Sequence, residues 1–127
     1  MKSAKHRAFQ RLVSSYFKRL GWFATIEHWL KGKKIDVLAQ DMKTKFIIAN
    51  EIELTPRHCL TNIERDLEVG CNGVAIICAK ASVLEAVKRK AKANLSRDIL
   101  NKVRFQLITE FIPPSNSGIN SADSEYE

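Results

Sequence analysis

Val74-Ala75-Ile76-Ile77-Cys78-Ala79 is apolar at every position. A strand turns successive side chains to opposite faces, so such a run is stable only where both faces are covered. It predicts a parallel or mixed sheet with layers on both sides. The chain has 127 residues, enough for one domain around one core. No stretch reaches the roughly 18 apolar residues of a membrane span. The basic start, Met1–Arg7, leads into no apolar stretch, so a secretory leader is not expected.

Around that strand the other elements follow from periodicity and punctuation. Phe9, Leu12, Val13, Tyr16, Phe17 and Leu20 recur at helical spacing over residues 3–20, and Gly21 ends the run. Trp22–Glu27, Lys34–Gln40 and Lys45–Leu54 are predicted strands. The last two are joined through Asp41-Met42-Lys43-Thr44 as an antiparallel hairpin. Thr61-Asn62-Ile63-Glu64 and Ser82-Val83-Leu84-Glu85 have the form of capping boxes. They predict one helix ending at Val69, before Gly70, and another ending near Asn94. A short helix over Ser96–Leu100 and a strand over Val103–Thr109 close the domain. The fold class is therefore α/β, a mixed central sheet flanked by helices, in the order α-β-β-β-α-β-α-β. Residues 1–112 form the domain. Residues 113–127, rich in Ser, Asn and acids after Pro113-Pro114, are expected to be a disordered tail.

Charge narrows the partner. The chain holds 21 Lys and Arg against 14 Asp and Glu. Three of those acids, Asp123, Glu125 and Glu127, lie in the tail, which has no Lys or Arg; the domain thus sets 21 bases against 11 acids. This excess suits a polyanion such as DNA, or is simply a soluble basic surface. Cys59, Cys71 and Cys78 are irregularly spaced and form no CxxC zinc pattern. A reducing, cytoplasmic setting is the default expectation.

Three acids stand out. Asp36 sits in Lys34-Ile35-Asp36-Val37-Leu38-Ala39, and Glu51 and Glu53 end Phe46-Ile47-Ile48-Ala49-Asn50-Glu51-Ile52-Glu53-Leu54. An unpaired charge in a buried strand costs several kcal/mol or forces protonation. Alternation puts Ile47, Ala49, Glu51 and Glu53 on one face, which turns acidic towards the end of the strand. The hairpin folds Asp36 back near Glu51. Converging carboxylates offer hard oxygen donors to Mg²⁺ or Mn²⁺. The alternative is pairing with cations such as Lys34, Lys45, Arg57 or Arg65.

Ile35-Asp36-Val37 followed by Glu51-Ile52-Glu53, in this order of elements, resembles the PD-(D/E)XK nuclease superfamily, whose fold is that of restriction endonucleases and archaeal Holliday-junction resolvases. The resemblance spans roughly residues 3–109. Asn62–Gly70 followed by Val74-Ala75-Ile76-Ile77 looks like a restriction-endonuclease-like subgroup found with mobile-element and DNA-translocation proteins. The resemblance implies a Mg²⁺-dependent endonuclease acting on DNA. Asp36 and Glu51 would be metal ligands, with Ile52 contributing its backbone carbonyl. Glu53 stands where the family usually has Lys; it lacks that positive charge but suits a general base or an extra ligand. The resemblance also implies a homodimer; a larger DNA-processing machine is the partner that an adaptor role would bring. The departure at Glu53 keeps a second class open, a non-catalytic DNA-binding or adaptor module on the same fold.

The remaining candidates each have two readings. Arg7, Arg11, Ser14 and Lys18 share a helical stripe, at about 100° per residue, that is either solvated or touches phosphate. Lys31, Lys33 and Lys34, in an expected loop, and Lys88–Lys92 are further phosphate contacts. Arg65 either binds phosphate or neutralises the acids. Glu27 joins the acidic cluster or is a surface acid. His6 and Gln10 face the site or solvent; Asn62 caps its helix or acts beyond it. Trp22 is a core residue before it is a base-stacking one, and Trp29 is the better stacking candidate. His28 and His58, in expected loops, have no partner pair for zinc.

Overall fold

The computed structural model describes residues 2–114. The expected tail lies outside the described residues from position 115 onward. The elements run α1 (Ala4–Arg19), β1 (Phe23–Leu30), β2 (Lys33–Gln40), β3 (Ile47–Glu53), α2 (Cys59–Glu68), β4 (Gly73–Cys78), α3 (Ala81–Asn94), α4 (Arg97–Leu100) and β5 (Val103–Leu107). A 3-10 turn, Ile108–Phe111, follows. The five strands lie in chain order across one mixed sheet. β1, β2 and β3 are antiparallel neighbours; β3, β4 and β5 are parallel, linked through α2 and through α3 with α4. No helix among the described residues is long and apolar enough to cross a membrane.

The apolar run behaves as its composition requires. Ala75 and Ile77 of β4 face α1 and the 3-10 turn, packing with Val13, Phe17, Ile52 and Phe111. Val74, Ile76 and Cys78 face the other layer, against Cys59 and Ile63 of α2 and Leu84 and Val87 of α3. All three cysteines are buried and free. Burial pushes the Cys71 thiol up to about 12 and the Cys78 thiol to about 11, so neither is a ready nucleophile. Trp22 packs against Phe17 at 5.3 Å between ring centroids, a core role.

Several boundaries differ from expectation, for local reasons. β1 runs on through His28 and Trp29 to Leu30. Lys31 and Gly32 then form a two-residue turn with φ of 48° and 83°. Both values are left-handed, as a tight hairpin of this twist requires, and Gly at the second position supplies one without strain. Lys33 and Lys34 consequently belong to β2 rather than to a loop. β3 starts only at Ile47 because Asp41 closes a turn, accepting from Lys43 N and Thr44 Oγ1 through its carboxylate. Neither capping box opens a helix. α2 begins at Cys59 and α3 at Ala81, so both boxes fall inside helices already under way. Ser3 is the side-chain cap of α1, accepting from His6 N at 3.1 Å. Ser14 leaves the exposed stripe: α1 buries His6, Gln10 and Ser14 along with its apolar residues.

Phe111 ties the 3-10 turn after β5 to α1, edge-on to Tyr16 at 5.0 Å and tilted against Phe17 at 6.5 Å. Phe111→Ala is expected to lower the unfolding free energy by about 3–5 kcal/mol, measured by urea denaturation. A loss below ~1 kcal/mol would mean the turn is not part of the cooperative core.

Candidate active site

The site grows out of an interruption in the sheet. The β1–β2 register runs from Phe23↔Gln40 to Leu30↔Lys33 but skips Glu27 opposite Asp36. Glu27 has φ of 53°, which turns its peptide out of the ladder. On the other side, the β2–β3 ladder ends at Val37↔Asn50, one step before Asp36 would meet Glu51. The side-chain alternation of β2 shifts at the same place. Ile35 packs with Leu38 on the α2 side, whereas Val37 faces α1.

Side chains take over the bonding that the ladder gives up. Gln10 Nε2 donates to the Asp36 carbonyl at 3.3 Å and to Glu27 Oε2 at 3.4 Å. The Asp36 carboxylate accepts from Ile52 N through Oδ2 at 2.9 Å. Glu51 Oε1 lies a long 3.5 Å from Asp36 N. Asp36, Glu51 and the Ile52 backbone are thus brought together across the opened hairpin.

Two cations reach in. Lys2 Nζ lies 2.9 Å from Asp36 Oδ1, and His6 Nε2 lies 3.3 Å from Asp36 Oδ2. Lys33 Nζ lies 2.8 Å from Glu51 Oε2 and 3.0 Å from Asp66 Oδ1. Its side chain is only 11% exposed, so Lys33 is an internal counterion and not the surface phosphate contact expected of it. The expected partners Lys34, Lys45, Arg57 and Arg65 do not supply the pairing: Lys34 meets Glu27 at 3.8 Å, and the other three are exposed. Glu53 accepts from Asn62 Nδ2, which gives Asn62 a role other than capping.

Asp66 is the member that sequence reasoning missed. It is 0% exposed, and neither carboxylate oxygen has a well-directed hydrogen-bond partner; the Lys33 contact is short but poorly aimed. Its signal was present in the helical spacing of α2, where Cys59, Ile63 and Asp66 form the buried stripe. Lys2 was likewise not legible as a partner of Asp36, whereas His6, read as facing either the site or solvent, is buried and faces the site.

Four carboxylates, Asp36, Glu51, Glu53 and Asp66, are therefore buried around two lysines. Burial pushes Glu51 well above the usual carboxylate range. The nearby Asp66 carboxylate and the Asp36 charge add to this, and Lys33 offsets only part. Glu53 is raised as well, first by burial, with the Asn62 amide working against the shift. For Lys33, burial alone would lower the pKa, but the attraction of Glu51 and Asp66 outweighs it and leaves a value above that of free Lys. The ammonium is therefore charged at neutral pH.

No group of three or more His, Cys, Asp or Glu among the described residues is arranged to hold a metal ion. The donor chemistry nonetheless fits a hard divalent cation. Asp36, Glu51 and a backbone carbonyl are oxygen donors, negative charge is in surplus, and Asp66 has unsatisfied oxygens. A hollow of about 590 Å³ between Phe46, Gly73, Asn101 and Arg104 lies at the opposite end of the parallel strands from these acids. The charged cluster and not that hollow is the candidate site. Of the surface candidates, Arg7, Arg11, Lys18, Lys31, Lys34 and Arg65 are exposed. No family model, curated protein or solved structure matches the chain.

A carboxyl with a raised folded pKa keeps a proton that the unfolded chain has already released. Its stabilising contribution is greatest below the ordinary Glu value of 4.5 and falls as pH rises through the raised value. The Lys33 shift acts only above 10.5. Unfolding free energy is therefore expected to fall as pH rises above the ordinary Glu value of 4.5, measured by urea denaturation at a series of pH values. Lys33→Met should cost about 3 kcal/mol at pH 7, where it strands Glu51 and Asp66, and less at pH 5. Equal losses at both pH values would exclude Lys33 as the counterion of titrating acids.

Proposed function

We propose that this protein is a divalent-metal-dependent DNA nuclease on a restriction-endonuclease-like core. The observation that carries the reading is the double interruption of the sheet at Asp36, which brings Asp36 beside Glu51 and Ile52 within a surplus of buried negative charge. Asp36, Glu51 and the Ile52 carbonyl would hold Mg²⁺ or Mn²⁺. Such an ion polarises a phosphoryl oxygen, activates a water and stabilises the leaving oxygen.

The chain's own residues supply the rest. The Lys33 ammonium, between Glu51 and Asp66, provides the positive charge that Glu53 cannot. Glu53 acts as the base that takes the proton of the attacking water. Its pKa is shifted towards neutrality, where a general base is most effective, and the Asn62 amide orients its carboxylate. Hydrolysis then forms one water-oxygen bond to phosphorus and breaks the bond to the leaving sugar oxygen, which takes a proton from solvent while Glu53 releases its own to solvent. Exposed Arg7, Arg11, Lys18, Lys31, Lys34 and Arg65 serve the phosphate backbone, so binding weakens steeply with salt. A homodimer and a cytoplasmic setting belong to the same reading; a larger DNA-processing machine belongs to the adaptor reading.

A non-catalytic DNA-binding or adaptor module is the second reading. Glu53 in place of Lys favours it, as does the prior pairing of Asp36 with Lys2 and of Glu51 with Lys33. Plasmid nicking in Mg²⁺ or Mn²⁺ separates the two. Asp36→Ala and Glu51→Ala are expected to lose on the order of 10²-fold or more, and Glu53→Gln about 10²-fold. Calorimetric titration should show Mn²⁺ binding to wild type that Glu51→Ala abolishes. Undiminished cleavage by Asp36→Ala would sink the site assignment. DNA binding that survives chelation, without cleavage in either metal, would select the second reading.

A further inference from the structure

Trp29 is 64% exposed on the edge strand β1, a large apolar surface left in water. It pairs directly across the hairpin with Lys34, whose Nζ lies 5.9 Å from the centre of the indole. Lys34 also meets Glu27 Oε1 at 3.8 Å, Glu27 Oε2 meets Gln10 Nε2, and Gln10 meets the Asp36 carbonyl. The indole is therefore connected to the candidate site through three side chains. Trp29 stands two residues beyond Glu27, the position facing Asp36. That is ~7 Å along the strand, or about two stacked nucleotides of one strand.

We infer that Trp29 and Lys34 form a stacking platform for an unpaired base of a single-stranded stretch that runs past the candidate site. This deepens the nuclease reading and rests on it for the identity of the ligand as nucleic acid. An indole accepts any base on its face, and the neighbouring ammonium suits the phosphate that accompanies it. Duplex DNA keeps its bases stacked inside the helix and offers the ring nothing equivalent. The preferred substrate is thus DNA with a single-stranded arm, flap or gap. A second copy of the chain is the competing occupant, because Phe23 and Ile26 of β1 are also exposed. The lysines around Trp29 argue against it: Lys31 and Lys34 are exposed here, and the domain is strongly basic.

The chain has two tryptophans, so a Trp22→Phe background leaves Trp29 as the only indole emitter. In that protein, with Glu51→Gln added to prevent cleavage, a single-stranded 12-mer should quench the fluorescence; a blunt duplex of the same sequence should not. Trp29→Ala should weaken single-strand binding about tenfold and duplex binding less than twofold, and Trp29→Tyr should restore most of the loss. Thermal melting should be unchanged in both variants. Absent quenching, or equal losses for both DNAs, would overturn the inference. So would Trp29 emission that shifts with protein concentration alone, which would assign the ring to a second copy. Wild type that cuts with Mg²⁺ regardless of Trp29 would remove only the platform. Trp29-dependent single-strand binding without cleavage would remove only the nuclease.

Discussion

Asp36 is the position on which the rest of the molecule turns, because the sheet gives up its backbone pairing there on both sides. Unpaired peptide groups in a buried strand are costly, and every one must find another partner. Gln10 reaches down from α1 to the Asp36 carbonyl, and the Asp36 carboxylate captures the Ile52 amide. That requirement explains why α1, otherwise an apolar helix on an apolar sheet, buries Gln10. The left-handed backbone of Glu27 sits opposite the same gap. Strain of this kind persists where the surroundings over-determine it, and such places cluster at functional sites.

The second constraint is electrostatic. Four buried carboxylates meet two lysines, so the cluster is short of positive charge. Burial first, and the neighbouring negative charges second, favour the protonated forms of Glu51 and Glu53, which is why both pKa values rise. A divalent cation would relieve the deficit and favour the ionised forms. The same surplus that destabilises the free fold at neutral pH is what gives the site affinity for a cation. Lys33 lies at the junction of these demands: removing it would leave Glu51 and Asp66 facing each other in a dry interior.

Legibility in the sequence followed the range of the interactions. The apolar run at 74–79 and the alternation around Asp36, Glu51 and Glu53 are local patterns, and they led to a covered mixed sheet and to the acids. Lys31-Gly32 was a readable turn signal, a glycine in a two-residue loop between strands, yet the lysines around it suggested an open loop. That misreading assigned Lys33 to the surface. The capping boxes failed because the same four-residue pattern also occurs inside a helix, where nothing local marks the difference. Asp66 was hidden by its charge, although its helical spacing placed it inward.

By itself the sequence determined the layer architecture, the order of elements and the burial of acids in strands, since these depend on side-chain periodicity along a few residues. The tertiary structure alone decided which cation meets which acid. Lys2 and Lys33 are 34 and 18 positions from Asp36 and Glu51, and Asp66 comes from a helix packed below the sheet. Such pairings depend on register, twist and the break at Asp36, and no short window of sequence contains them. The exposure of Trp29 beside Lys34 has the same origin: it required the hairpin register that sets the two residues directly opposite one another.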